Sequence, residues 1–160
     1  MVVALNIIGY SYIMIEIKKV TSLEEVASEL IELSKEWFNE NITNGLVANT
    51  IEDLKLPCYT AIIDNHIIGY IFGHYYNREK KSSLIPKDAK CFDVDELFVK
   101  KDYRSLGIGQ KLYDALEKEV MNEAEYMTLV TSTRDYKKIL HFYADELGMT
   151  FNYAELIKKI

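Results

Sequence analysis

The sequence predicts one α/β domain: a mixed, mostly antiparallel sheet flanked by helices. Three observations carry that reading. Runs of alternating apolar and polar residues, the pattern of half-buried strands, are interleaved with segments whose apolar residues return every three or four positions, the pattern of amphipathic helices. Two strand-like runs are joined by Asp64-Asn65-His66, a tight-turn composition that makes an antiparallel hairpin. A further strand at residues 92–99 runs through a glycine-containing turn straight into a helix. At 160 residues the chain is long enough to bury one core without staples, and 49% hydrophobic with 28% charged residues suits a soluble globular protein.

Residues 1–14 carry no charge. They lack the basic start and the small-residue cleavage site of a signal peptide, and they are too short and too polar to span a bilayer. The expected organisation is an uncharged leader of unknown role over 1–14 and a single domain over 15–160. Two readings of the leader stay open: Met14 as the true start, or a leader that adds a strand or a contact surface.

Residues 15–20 (IEIKKV) alternate and read as a strand. Thr21-Ser22-Leu23-Glu24 fits a capping box, in which hydroxyl and carboxylate satisfy each other's backbone donors. Leu23, Val26, Ala27, Leu30, Leu33 and Trp37 then follow at helical spacing, so a first helix runs to about Phe38 and breaks at Asn41-Ile42-Thr43-Asn44-Gly45. A weaker helix covers 50–54. Residues 58–63 and 67–76 form the hairpin, where Gly69 and Gly73 imply close backbone approach or a bulge. Residues 77–90 are a polar, basic-leaning connection, read either as a solvated loop or as a flap over the substrate. After the strand at 92–99, a helix from Gly107 to about Met121 buries Ile108, Leu112, Ala115, Leu116 and Val120. A strand at 126–131 follows. A third long helix runs to Leu147 with Tyr136, Ile139, Leu140, Tyr143 and Leu147 on one face, and Gly148 caps it. Residues 151–157 read as a final edge strand.

A net charge of −6 argues against nucleic acid, whose binders are usually basic, and is compatible with a cationic substrate. Nothing marks a membrane partner. Cys58 and Cys91 are the only cysteines and form no Cys-x-x-Cys pair or cysteine–histidine cluster of zinc-ligand spacing. They read as reduced, packed thiols of a cytoplasmic protein, with no metal site.

The chemistry concentrates at Arg104-Ser105-Leu106-Gly107-Ile108-Gly109, between strand and helix. The first amides of a helix lack intrahelical acceptors, and the helix dipole makes that end positive. Glycines there leave no side chain between those amides and a phosphate, and Arg104 adds a cationic fork. The turn therefore reads as a pyrophosphate site. No Lys-Ser/Thr pair follows the glycines, so it is not a P-loop. Gly107-x-Gly109-x-x-Leu112 lacks the third glycine of a dinucleotide fingerprint and has no second mononucleotide unit behind it.

Arg104-x-x-Gly107-x-Gly109 after Glu96-Leu97-Phe98-Val99 resembles motif A of the GNAT family of N-acetyltransferases, and the order of elements over residues 15–160 is similar to that family. The resemblance implies the GNAT-like fold, with the central sheet splayed at the signature strand, and acetyl-CoA as cosubstrate. The amides from Arg104 through Ser105, Leu106, Gly107, Ile108 and Gly109 would take the pyrophosphate. The backbone of Leu97, Phe98 and Val99 would pair with the pantetheine like an added strand, and an amide there would polarise the thioester.

The implied reaction is direct attack of a primary amine on the thioester, without an acyl-enzyme. A protonated amine needs a base or a water relay, and Glu96 on the signature strand is the first candidate for the base. Strand alternation places Asp95 on the opposite face, so only one of the two can point into the site. Phe142-Tyr143 ahead of Leu147-Gly148-Met149 resembles the family's motif B, which would make Tyr143 the general acid. This chain departs from that motif: one extra residue separates the tyrosine from Gly148, Met149 replaces phenylalanine, and Thr133, Arg134 and Asp135 stand where an asparagine is common. A packed core tyrosine remains the alternative. His74, on the hairpin strand, is a secondary base candidate; His66 and His141 read as surface residues. Tyr75 and Tyr76 line an amine pocket or simply pack. The partners read as acetyl-CoA and an amine acceptor, a small molecule in preference to a protein, with a homodimer open. The alternative function is a CoA-binding sensor or interaction module without catalysis; a nucleotide-binding protein of another class stands behind it.

Overall fold

The structure is a computed structural model that describes residues 2–7 and 11–159, and side chains from Met14 on. Six strands form one sheet in sequence order: β1 (Val2–Ile7), β2 (Ser11–Lys19), β3 (Cys58–Ile63), β4 (His66–Asn77), β5 (Lys90–Val99) and β6 (Tyr126–Thr128). Every neighbouring pair is antiparallel except β5–β6, which is parallel. A parallel pair needs a crossover, and α2 (Ile108–Val120) supplies it. The expected mixed, mostly antiparallel sheet is therefore present. The expected strand at 15–20 begins earlier, at Ser11, and the backbone of β1 pairs with it. The leader's side chains lie outside the described residues.

The two sheet faces bury separate clusters. On one, α1 (Ala27–Glu40) packs Ala27, Leu30 and Leu33 against Cys58, Ile67, Tyr70, Phe72 and Phe98. On the other, Ile108, Leu112, Tyr113, Leu116 and Val120 of α2 pack against Ile15, Ile71, Phe92 and Val94. Both helices show the stripe that their sequences predict. The β3–β4 hairpin turns on Asp64 and Asn65, both at positive φ, as a two-residue turn requires.

Four expectations fail locally. No capping box forms at Thr21: a 3-10 turn, Leu23–Glu25, precedes α1, and Ser22 makes no side-chain cap. The capping box lies instead at Thr50 and Asp53, around a 3-10 turn, Ile51–Asp53, where a weak helix was expected. The strand at 126–131 stops at Thr128 because the chain then leaves the sheet. Residues 151–157 form no strand; Tyr153, Leu156 and Ile157 are largely exposed.

The third helix is also not a plain α-helix. Five α-helical residues, α3 (Tyr136–Leu140), pass into a π-helical stretch, His141–Glu146. A π-turn absorbs one inserted residue without unwinding the helix. The stretch spans the region where the resemblance implies one extra residue between Tyr143 and Gly148. Tyr136, expected on the buried face, is 58% exposed. Gly148 ends the helix at φ 70°, with the Met149 amide donating to the Tyr143 carbonyl at 2.9 Å, a left-handed cap as expected.

Candidate active site

Pairing between β5 and β6 ends at Asp93 with Thr128. Beyond it, β5 keeps β4 on one side and, among the described residues, has no strand on the other. The sheet is open along this edge. The Lys100 amide bonds to the Ile68 carbonyl at 2.9 Å. Antiparallel alternation then turns the backbone of Phe98 towards β4 and that of Leu97 and Val99 towards the open edge. The expected trio thus divides: Leu97 and Val99 present polar backbone at the open edge, whereas Phe98 bonds within the sheet. The Val99 carbonyl already accepts from Arg104 Nε at 2.7 Å.

After β5, a 3-10 turn (Lys101–Tyr103) leads to the glycine turn. Ser105 and Gly107 both sit at positive φ (62° and 73°), which curls successive amides to one side. Gly107 is the N-cap of α2, so the amides of Ile108, Gly109 and Gln110 have no intrahelical acceptor. Ser105 and Gly107 are exposed. Gly109 is needed for another reason: a Cβ there would lie 3.3 Å from Phe142 Cζ, so the glycine lets α2 and the π-helix approach.

The Arg104 side chain does not serve as a free cationic fork. Its guanidinium makes two bonds of 2.7 Å to Glu40 and lies 5.4 Å from the centre of the Phe98 ring. Glu40 is the last residue of α1, where a carboxylate opposes the helix dipole; Arg104 offsets it and ties the turn to that helix. What the turn offers an anion is its backbone.

The bulge of β5 corrects the expectation for the two carboxylates. Phe72 pairs with Glu96 but Gly73 pairs with Val94, so Asp95 is an extra residue. Strict alternation is lost there. Glu96 bonds Tyr70 and Asp95 bonds His74, two residues of β4 that share the face covered by α1. Asp95 and Glu96 therefore point the same way. Gly73 permits the bulge, because a Cβ at that position would fall within 3 Å of the Phe92 ring and closer still to the Asp93 carbonyl.

The two carboxylates differ in what holds them. Asp95 is engaged on both oxygens, by His74 Nδ1 at 3.0 and 2.9 Å and by Lys55 Nζ at 2.9 Å. Glu96 accepts twice on one oxygen, from Tyr70 Oη at 2.6 Å and Asn49 Nδ2 at 2.9 Å, both to Oε2. Its Oε1 accepts no bond among the described residues. Burial raises the Glu96 pKa, opposed by the bonds from Tyr70 and Asn49. Burial also drives the Tyr70 phenol far up, so it stays a donor.

Tyr143 is half-buried beside Tyr113, packs edge-on to Phe142 at 5.1 Å, and has its pKa pushed up to about 12 by burial. It therefore holds its proton through the physiological range.

Neither sequence pattern nor motif pointed to Asn49, Tyr70 or Glu40. Asn49 lies in an irregular segment, and the polar ends of Tyr70 and Glu40 gain meaning only from partners distant in the chain. A surface depression of about 800 Å³ lies away from Glu96, along α1. Its carboxylates Glu29, Glu32, Glu36 and Glu40 are already paired with the Ile67 amide, Lys35, Lys100 and Arg104. Among the described residues, no group of three His, Cys, Asp or Glu could hold a metal, and no helix is long and apolar enough to cross a membrane.

Residues 21–149 match the model of the Acetyltransferase (GNAT) family. The chain belongs to this family. It is accordingly an acyltransferase with acetyl-CoA as cosubstrate, and the open β5 edge and the curled amides fit that role. No curated protein matches it. Solved structures share the GNAT fold at low identity. The aminoglycoside N-acetyltransferase AAC(6')-Iy in complex with CoA has a TM-score of 0.65 at 16% identity, over 91% of this chain and 94% of that one. The aminoglycoside acetyltransferase meta-AAC0020, from an uncultured soil metagenomic sample, in complex with sisomicin gives 0.62 at 17%, over 91% and 96%. A ribosomal-protein-alanine N-acetyltransferase from Brucella melitensis biovar Abortus 2308 gives 0.64 at 15%, over 91% and 99%.

Proposed function

We propose that this GNAT protein acetylates a primary amine by direct attack, with Glu96 as the base and Tyr143 as the acid. One observation carries the assignment of the base: Glu96 takes both of its donors on Oε2, leaving Oε1 to receive a proton, while Asp95 is engaged on both oxygens. Acetyl-CoA supplies the activated acetyl group. The turn from Ser105 to Gly109 would take its pyrophosphate, and Leu97 and Val99 its pantetheine, with the guanidinium of Arg104 bracing the turn from behind. The Leu97 amide, next to Glu96, is the candidate donor to the oxyanion. The protonated Tyr143 supplies a proton to the departing thiolate. Direct attack is supported by the cysteines. Both are buried, and burial pushes the Cys58 thiol up to about 12, far from a reactive thiolate. Two buried, unpaired thiols also support a cytoplasmic protein.

A small-molecule acceptor is favoured over a protein. Beyond β6, residues 132–134 bond to residues 42–44. The Asn44 amide bonds to the Ser132 carbonyl at 3.0 Å and the Arg134 amide to the Ile42 carbonyl at 2.8 Å. Thr43 and Thr133 form a bridge between them. This clasp joins the segment after α1 to the chain that leaves the sheet after β6, and we read it as a wall on the approach to the open edge. The aminoglycoside acetyltransferases with this fold are consistent with such an acceptor.

The test has two stages. Acetyl-CoA near 100 times its Kd should raise Tm by roughly 5–10 °C, with NAD and ATP inert. An amine panel should then give acetylated product with wild type and roughly 100-fold less with Glu96→Gln. A Tm rise with no product on any amine would support a CoA-binding module instead.

A further inference from the structure

Ser34 lies in the buried stripe of α1 and is 1% exposed. Position 34 adjoins Leu33 and follows Leu30 at helical spacing, so packing alone would ask for an apolar residue. Its hydroxyl instead makes two bonds. It donates to the Ile31 carbonyl at 2.8 Å and accepts from the Asn49 amide at 2.8 Å. Asn49 is itself buried, at 8% exposure. Its side-chain amide donates to Glu96 Oε2 at 2.9 Å. A carboxylate can only accept, so the amide nitrogen must face it. On the other side of Asn49, Thr50 and Asp53 cap each other, which fixes the backbone that follows.

We infer that Asn49 and Ser34 are positioning residues for Glu96. Ser34 anchors the Asn49 backbone to α1, and Asn49 occupies Glu96 Oε2, so that Oε1 is the oxygen turned to the acceptor amine. Neither residue touches a reacting atom. The inference rests on Glu96 as the base. It explains why a hydroxyl stands in the buried stripe of a helix, and why an otherwise irregular segment is tied down at one residue.

The other groups around Glu96 bear on any pH readout. Tyr70 faces it from β4 and Asp95 from β5, while Asp53 approaches from the turn after Asn49. Lys55 and His74 act through Asp95. None of these side chains is itself replaced in the Ser34 and Asn49 variants. Loss of the Asn49 bond removes a contact that favours the ionised carboxylate.

The experiment is the pH dependence of kcat/KM for wild type, Glu96→Gln, Asn49→Ala and Ser34→Ala, with acetyl-CoA affinity and Tm measured beside it. Glu96→Gln should abolish the acid limb. Asn49→Ala should move that limb up by about one pH unit, the size of one hydrogen bond to a charged group. Ser34→Ala should move it the same way by less, although it is one residue further from the carboxylate. A limb that vanishes in Glu96→Gln but stands still in both other variants overturns this inference alone. A limb that survives in Glu96→Gln overturns the base assignment, and this inference with it. Asn49→Leu, which fills the same volume, carries the test should Asn49→Ala fail to fold.

Discussion

Asp95 and Glu96 are consecutive residues of one strand, yet both carboxylates lie on the same face of the sheet. The bulge at Asp95 makes this so. One carboxylate is engaged by a histidine and a lysine; the other keeps a free oxygen. The arrangement depends on Gly73, whose missing Cβ leaves room for the Asp93 carbonyl.

Gly73→Ala should therefore remove activity and lower stability by about 3 kcal/mol, since backbone rather than a flexible side chain must yield. Thermal unfolding should show a fall of about 10 °C. Gly69→Ala, whose Cβ would meet the Phe98 carbonyl at 2.8 Å, should cost less. Equal and small effects of the two would contradict this account of the bulge.

Arg104 braces the glycine turn through Glu40 and does not act as a free cation. Glu40→Gln, far from any phosphate, should thus weaken acetyl-CoA binding by about tenfold, or 1.4 kcal/mol. Arg104→Lys should do the same, because an ammonium cannot replace a bidentate fork. Calorimetric titration reads both. Unchanged affinity in Glu40→Gln would remove the brace from the argument.

Activity and stability should respond to Glu96 in opposite senses. Burial raises its pKa in the folded state, so the fold favours the protonated form. That contribution is fully present below the unfolded carboxylate value and is lost as pH rises through the folded one. Glu96→Gln should accordingly gain in Tm relative to wild type as pH is raised from 4 to 8, while its turnover falls. A Tm difference that does not change with pH would contradict the sign.

Tyr143→Phe should lower kcat by roughly 100-fold with little change in KM or Tm, as expected for a lost proton donor. Because burial pushes this phenol up to about 12, the basic limb of the wild-type pH profile should not fall below pH 10 on its account. A full-rate Tyr143→Phe enzyme would leave this tyrosine as packing only.

Arg134 Nε donates to Asn44 Oδ1 at 3.0 Å within the clasp. Arg134→Ala should loosen it, raising kcat/KM for a bulky amine relative to a small one. Competition between two amines of different size in one assay measures that ratio directly.

Periodicity and turn composition by themselves determined the hairpin, both amphipathic helices and the strand–glycine turn–helix order, because those features are local: each depends on residues a few positions apart. The close approach at Gly69 and Gly73 was legible for the same reason. The motifs singled out Glu96, Gly107 and Tyr143 as candidates. Only the tertiary structure decided the direction of Asp95, since alternation is a property of an unbulged strand and the bulge is set by its pairing with β4. It also decided that Arg104 meets Glu40, that Asn49 and Tyr70 hold one oxygen of Glu96, and that the third helix runs on as a π-helical stretch. These are contacts between residues 26 to 64 positions apart, or responses to packing. No local pattern encodes them, because the free energy that selects them arises only when the sheet and α1 have come together.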